Sequence, residues 1–130
     1  MKLIDQVASL SLCQQLKTLG VKQESYAEWL YQPFDDSWMV FPRFENALGY
    51  SAFTCSELGE MLPRKKFIQS ATESDNHLQI TKNIDGCFIA GYVNHDNGQL
   101  HHITISENEA NTRAALLVFL LENQLMELPE

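Results

Sequence analysis

The residues Val93 to His102, VNHDNGQLHH, hold three of the chain's four histidines together with an aspartate. Imidazole nitrogens and a carboxylate are the donor set of a zinc site, and also the partners of general acid–base chemistry. Asn97-Gly98 is the dipeptide of a tight type I′ hairpin turn, so the register can be written out. With those two residues at the turn centre, Asp96 pairs with Gln99, His95 with Leu100, Asn94 with His101 and Val93 with His102. His95 and His102 then share a face on a diagonal of roughly 7–8 Å, while His101 and Asp96 point the other way. A zinc site needs three or four ligands converging on one point, and this register supplies two. The expectation is a solvated hairpin, with no metal ligand assigned.

Other nucleophiles and acids are sparse. Cys55 stands at the first position of an expected helix, where the dipole and free amides can lower a thiol pKa. A small residue after an N-cap is more simply a packing residue. Glu57 and Glu60 lie one helical turn apart and could act as an acid–base pair, but Glu57 is already taken up as a capping-box partner. The phosphate-binding patterns GxxxxGK[ST] and GxGxxG are missing, and so is the zinc-protease pattern HExxH. No catalytic residue and no cofactor is assigned.

The elements that would position these groups follow from local patterns. Ser11 and Gln14 predict a capping box, Leu12, Leu16 and Leu19 repeat at helical spacing, and Gly20 is a stop. Residues 1–8 extend that helix or form a separate turn. The aromatic run Tyr26 to Tyr31 and the run Trp38 to Phe41 predict a hairpin around Pro33, Asp35 and Asp36. An irregular stretch through Pro42 and Gly49 leads to Thr54 and Glu57, a second capping box opening a short helix that Pro63 ends. Residues 64–76 are polar and read as a loop. His77 to Lys82, Cys87 to Val93 and His101 to Ile105 predict three more strands, and Ser106 and Glu109 cap a helix running to about Leu125. The predicted fold is α+β, a largely antiparallel sheet of about five strands with three helices packed on it, in a single domain spanning 1–130.

Composition bounds the function. The chain has 130 residues, 45% hydrophobic and 20% charged, with a formal net charge of −8. A chain of this length buries roughly two thirds of its unfolded surface and needs no metal or disulfide to fold. The negative balance argues against a nucleic-acid partner, since Arg64-Lys65-Lys66 is the one basic run. The N-terminus lacks the unbroken apolar core of a signal peptide, and the longest apolar run, Ala114 to Leu121, is far short of the roughly 18 residues that cross a bilayer. Three cysteines, odd in number and far apart, fit reduced thiols. No membrane association and a cytoplasmic location are expected.

Four stretches carry a resemblance: LSLCQQLKTLGVKQES at 10–25, SAFTCSELGEMLP at 51–63, CFIAGYV at 87–93 and ALLVFLLENQL at 115–125. Together they resemble small uncharacterised proteins of bacterial prophages and mobile elements, with the pattern departing at 64–86. The resemblance implies a phage or mobile-element accessory protein and carries no catalytic residue. Two apolar features are left over. Phe119 falls on the polar side of the last helix with Ala115, and CFIAGYV is apolar on both faces, Phe88 and Tyr92 alternating with Ile89 and Val93. Either the N-terminal helix or the 64–76 loop covers Phe119 within the chain, or Phe119, Ala115, Phe88 and Tyr92 form an interaction surface for an unknown protein partner or a weak homodimer. The expected function is a non-enzymatic interaction module; the alternative is a small metal-dependent hydrolase using His95 and His102. Thiol titration of the unfolded chain, prepared without reductant, is expected to find three free thiols, and a count of one would mean a disulfide.

Overall fold

A computed structural model of the chain describes residues 2–43, 49–63, 76–94 and 98–129. Outside these lie the basic run Arg64-Lys65-Lys66 with the rest of the expected 64–76 loop up to residue 75, the middle of the stretch after Pro42, and His95, Asp96 and Asn97; the last loop residue, Asn76, opens a strand. The fold is α+β, with three α-helices and six strands in two three-stranded antiparallel sheets among the described residues. A 3-10 turn, Leu3–Gln6, precedes α1 (Leu10–Thr18). The first sheet holds β1 (Ala27–Gln32), β2 (Ser37–Pro42) and β3 (Tyr50–Ala52) in the order β2-β1-β3. After α2 (Cys55–Met61) come β4 (Asn76–Lys82), β5 (Phe88–Asn94) and β6 (Leu100–Ser106), paired in chain order, and finally α3 (Glu109–Glu122).

The expected single sheet of about five strands is divided into two sheets of three. The strand that expectation leaves out is β3, whose three residues pair with Ala27, Glu28 and Trp29. Three residues are too few to show alternation, and the pairing is a long-range event. The cap residues differ as well. The Ser9 hydroxyl, not that of Ser11, accepts from the Leu12 amide at the head of α1. At α3 the cap is Asn108, whose Oδ1 accepts from the Asn111 amide at 3.0 Å. Only the Thr54–Glu57 capping box forms as read, with Glu57 Oε1 accepting from the Thr54 amide at 2.9 Å. Gly20 ends α1 at φ +95°, while α3 stops at Glu122 because Gln124 takes φ 56° and the Leu125 amide donates back to Leu120 O.

One cluster of buried side chains joins all of this, from Val7, Cys13 and Leu16 through Trp29, Phe53 and Leu58 to Tyr92, Leu117 and Leu120. At its centre lies α3, which packs on β5 and β6 and also meets α1 and α2. Its buried positions include Thr112 and Val118 besides Ala110, Ala114, Leu116, Leu117 and Leu120, so the apolar stripe is far wider than helical periodicity alone suggested. Thr112, a polar residue, is fully buried among them. Its hydroxyl lies 3.1 Å from Phe88 O and 3.2 Å from Asn108 O, and its own carbonyl accepts from the Thr104 hydroxyl at 2.9 Å. These bonds satisfy buried polar groups and lock the first turns of α3 to β5 and β6.

The N-terminal segment is tied in through Ala8. Its amide donates to Phe53 O at 2.9 Å, and its carbonyl accepts from the Trp29 indole at 3.1 Å. The Ser9 amide donates to Asn111 Oδ1 at 2.6 Å, so the entry to α1 is held against α3. Thr112→Val keeps the shape and removes the hydroxyl. It is expected to lower unfolding free energy by about 1 kcal/mol in denaturant titration, the net worth of one buried hydrogen bond.

Candidate functional site

The β5–β6 hairpin closes differently from the register expected around Asn97-Gly98. Val93 pairs with Leu100 and Tyr92 with His101, two positions away from the expected partners. The closing bonds run from the Asn94 amide to Gln99 O and from the Gly98 amide to Asn94 O, so four residues separate the paired strands, not two. A bulge between Ala90 and Tyr92 adds one residue on β6, where His102 takes φ 56°. Both changes dissolve the expected His95–His102 diagonal. His95 lies outside the described residues, and the His102 ring rests on Phe119 with centroids 5.1 Å apart. Among the described residues, no group of three His, Cys, Asp or Glu side chains is placed to hold a metal ion.

A cleft of about 570 Å³ opens between the N-terminal turn, α2 and α3, lined by Asp5, Thr54, Cys55, Phe88, Glu107 and Glu109 among others. Cys55 stands in it at the head of α2, where sequence reading allowed a lowered pKa. Burial, and then the charge of Glu109, push the thiol up to about 11 instead. It is a neutral thiol at physiological pH and a poor nucleophile. Cys13 is likewise pushed up to about 11, chiefly by burial, and all three cysteines are unpaired. Glu57 is fully engaged, its second oxygen accepting from the Tyr26 amide at 2.9 Å. The Glu109 carboxylate is held by Arg113 at 2.7 Å.

Glu28 is a buried carboxylate that the sequence did not single out. It lies on β1 opposite Phe41 and Ser51, 2% exposed, and among the described residues its Oε2 has no hydrogen-bond partner.

The four expected interface residues do not form one surface. Tyr92 is 0% exposed, and its hydroxyl donates to Pro63 O at 2.7 Å. That places it in the core, and burial raises its pKa above the usual phenol range. Phe88 is half-buried beside the cleft, with Lys82 Nζ 5.4 Å from its ring centroid. Phe119 is 36% exposed on the flank of α3, and Ala115 is half-buried.

The bare apolar surface lies on the other side of the second sheet. Phe88, Ala90 and Tyr92 alternate toward the helices, so Ile89, Gly91 and Val93 face outward. Pairing places Ile105 beside Ile89 and Leu100 beside Val93 on this outer face, and alternation from Thr104 adds Ile103. Ile103 and Ile105 are 57% and 59% exposed. The β4 residues on the same face are His77, Gln79 and Thr81, all exposed. Gly91 makes room at its centre: a Cβ there would come within 2.9 Å of His101 O and 3.0 Å of the Leu100 side chain. The alternation Ile103-Thr104-Ile105 was the sequence signal for this face. It is visible once β6 is recognised as a strand with one face toward α3.

None of the chain's 17 acidic residues lies in β4, β5 or β6, whose sequences are NHLQITK, FIAGYVN and LHHITIS. Among the described residues of these strands the outer face is aliphatic, with His77, Gln79 and Thr81 beside it, on a chain of net charge −8. No helix among the described residues is long and apolar enough to cross a membrane. The chain matches no protein-family model, no curated protein and no solved structure.

His102 gives a pH dependence. Partial burial, and then the neighbouring His101, lower its pKa from 6.5. The unfolded chain therefore binds this proton first, so stability is full above about pH 6.5 and falls as pH drops through the folded-state value. Thermal melts at pH 7.5 and 5.5 are expected to show a loss at the lower pH, and His102→Gln is expected to shrink that loss.

Proposed function

We propose that this chain is a non-enzymatic protein-interaction module and that the outer face of the β4-β5-β6 sheet is its docking surface. One observation carries the reading: five aliphatic residues, Ile89, Val93, Leu100, Ile103 and Ile105, share that face, with Ile103 and Ile105 more than half exposed. A contiguous apolar patch rimmed by polar groups marks a surface that another body covers. The core needs none of these side chains, since α3 and its neighbours fill the opposite face. Three unpaired cysteines suit a reducing compartment, and a cytoplasmic site of action is part of the proposal. Its biological setting, an accessory role in a phage or mobile element, rests on the resemblance of the four sequence stretches.

The test asks whether the isoleucines serve folding or contact. Threonine keeps the β-branch that suits a strand while removing apolar surface. The variant combining Ile103→Thr and Ile105→Thr, studied at about 1 μM so that association is negligible, is expected to keep its unfolding free energy within about 1 kcal/mol of the parent chain. Binding of a hydrophobic dye to the native state should fall at the same time. A loss above about 2 kcal/mol would assign the isoleucines to the monomer's own core and end the docking reading.

A further inference from the structure

We infer that the occupant of this outer face is a second copy of the same chain, packed sheet to sheet about a twofold axis. The inference rests on the docking reading above and adds the identity of the partner. Charge is the first argument. A partner of opposite charge is recognised through carboxylates, of which this chain has 17, yet none lies in the three strands of the docking sheet. A body that itself carries a net charge of −8 can approach closely only where the surface is free of them. The one sheet without acidic residues is also the one with a bare aliphatic face.

Shape agrees with this choice, and size sets its strength. A twofold contact uses the same patch on both molecules, so five aliphatics become ten with no further requirement on the sequence. Aligned sheets pack face to face about 10 Å apart, with alternate side chains interleaving; Ile89 and Val93 on β5 and Ile103 and Ile105 on β6 stand on one side, and the bulge at His102 brings Leu100 to that side as well. Three strands of seven residues outline a face of about 14 Å by about 23 Å, or roughly 300 Å². Stable interfaces cover about 800 Å² on each partner, so the dimer is weak and concentration-dependent. Net repulsion between the two acidic bodies opposes it and is relieved by salt.

Sedimentation equilibrium from about 10 μM to about 1 mM, a range suited to a weak interface, reads this directly. The wild-type weight-average mass is expected to rise toward twice the monomer, and raising sodium chloride from about 20 to about 300 mM should tighten association severalfold. Ile103→Glu and, independently, Ile105→Lys should stay folded by circular dichroism and remain monomeric throughout. Phe119→Glu, on the flank of α3, should dimerise as the wild type does. A wild-type chain that stays monomeric to about 1 mM overturns the second copy as occupant. If the Ile103→Thr, Ile105→Thr variant has kept its stability, that result leaves the docking surface itself standing. Dimerisation of Ile103→Glu, loss of dimer in Phe119→Glu alone, or association that weakens with salt would each place the contact elsewhere and overturn the inference. Unfolding of both Ile103→Glu and Ile105→Lys overturns it together with the docking reading.

Discussion

The enclosure of α3 is the constraint on which the rest of the structure depends. Seven of its residues are buried, on several sides of the helix, because β5 and β6 lie along one flank and α1 and α2 along others. A helix surrounded in this way must satisfy any polar group it carries. Thr112 meets that demand through Phe88 O, Asn108 O and the Thr104 hydroxyl, and Ser9 through Asn111. The same bonds set the height and rotation of α3 over the sheet. Once α3 is fixed there, Ala90 and Tyr92 are sealed beneath it, and the other side of β5 is left as surface.

That arrangement separates two properties that a strand apolar on both faces confounds. One face of β5 belongs to the monomer's core, with Tyr92 fully buried and bonded to Pro63. The other carries aliphatic side chains that extend onto β6, where Ile103 and Ile105 are more than half exposed. Gly91 shows how closely the outer layer is built, since the Leu100 side chain and the His101 carbonyl occupy the space where a Cβ would lie. The bulge at His102 contributes on the inner side: the extra residue turns its imidazole onto Phe119, so the aromatic that looked stranded on a polar helix flank gains a neighbour from the sheet.

Chemistry is correspondingly quiet at the positions that attracted attention. Cys55 sits at a helix head, but burial and Glu109 dominate the local dipole and keep the thiol protonated. Glu57 spends both carboxylate oxygens on backbone amides, as a structural cap does. The histidine-rich hairpin is opened by a longer connection, and its one described member from the expected pair is a packing residue.

By itself the sequence determined what depends on near neighbours. The Thr54–Glu57 capping box, the glycine stop at Gly20, the strand alternation of β4 and the α+β class all follow from interactions within a few residues, and all are present. So was the knowledge that CFIAGYV had one apolar face too many. What only the tertiary structure decided was which face that is, because alternation defines two sides of a strand without saying where the helix will lie. The division into two sheets, the three-residue β3, the two-position difference in hairpin register and the burial of Thr112 belong to the same class. Each is set by contacts between residues far apart in the chain, whose energies the local pattern does not contain.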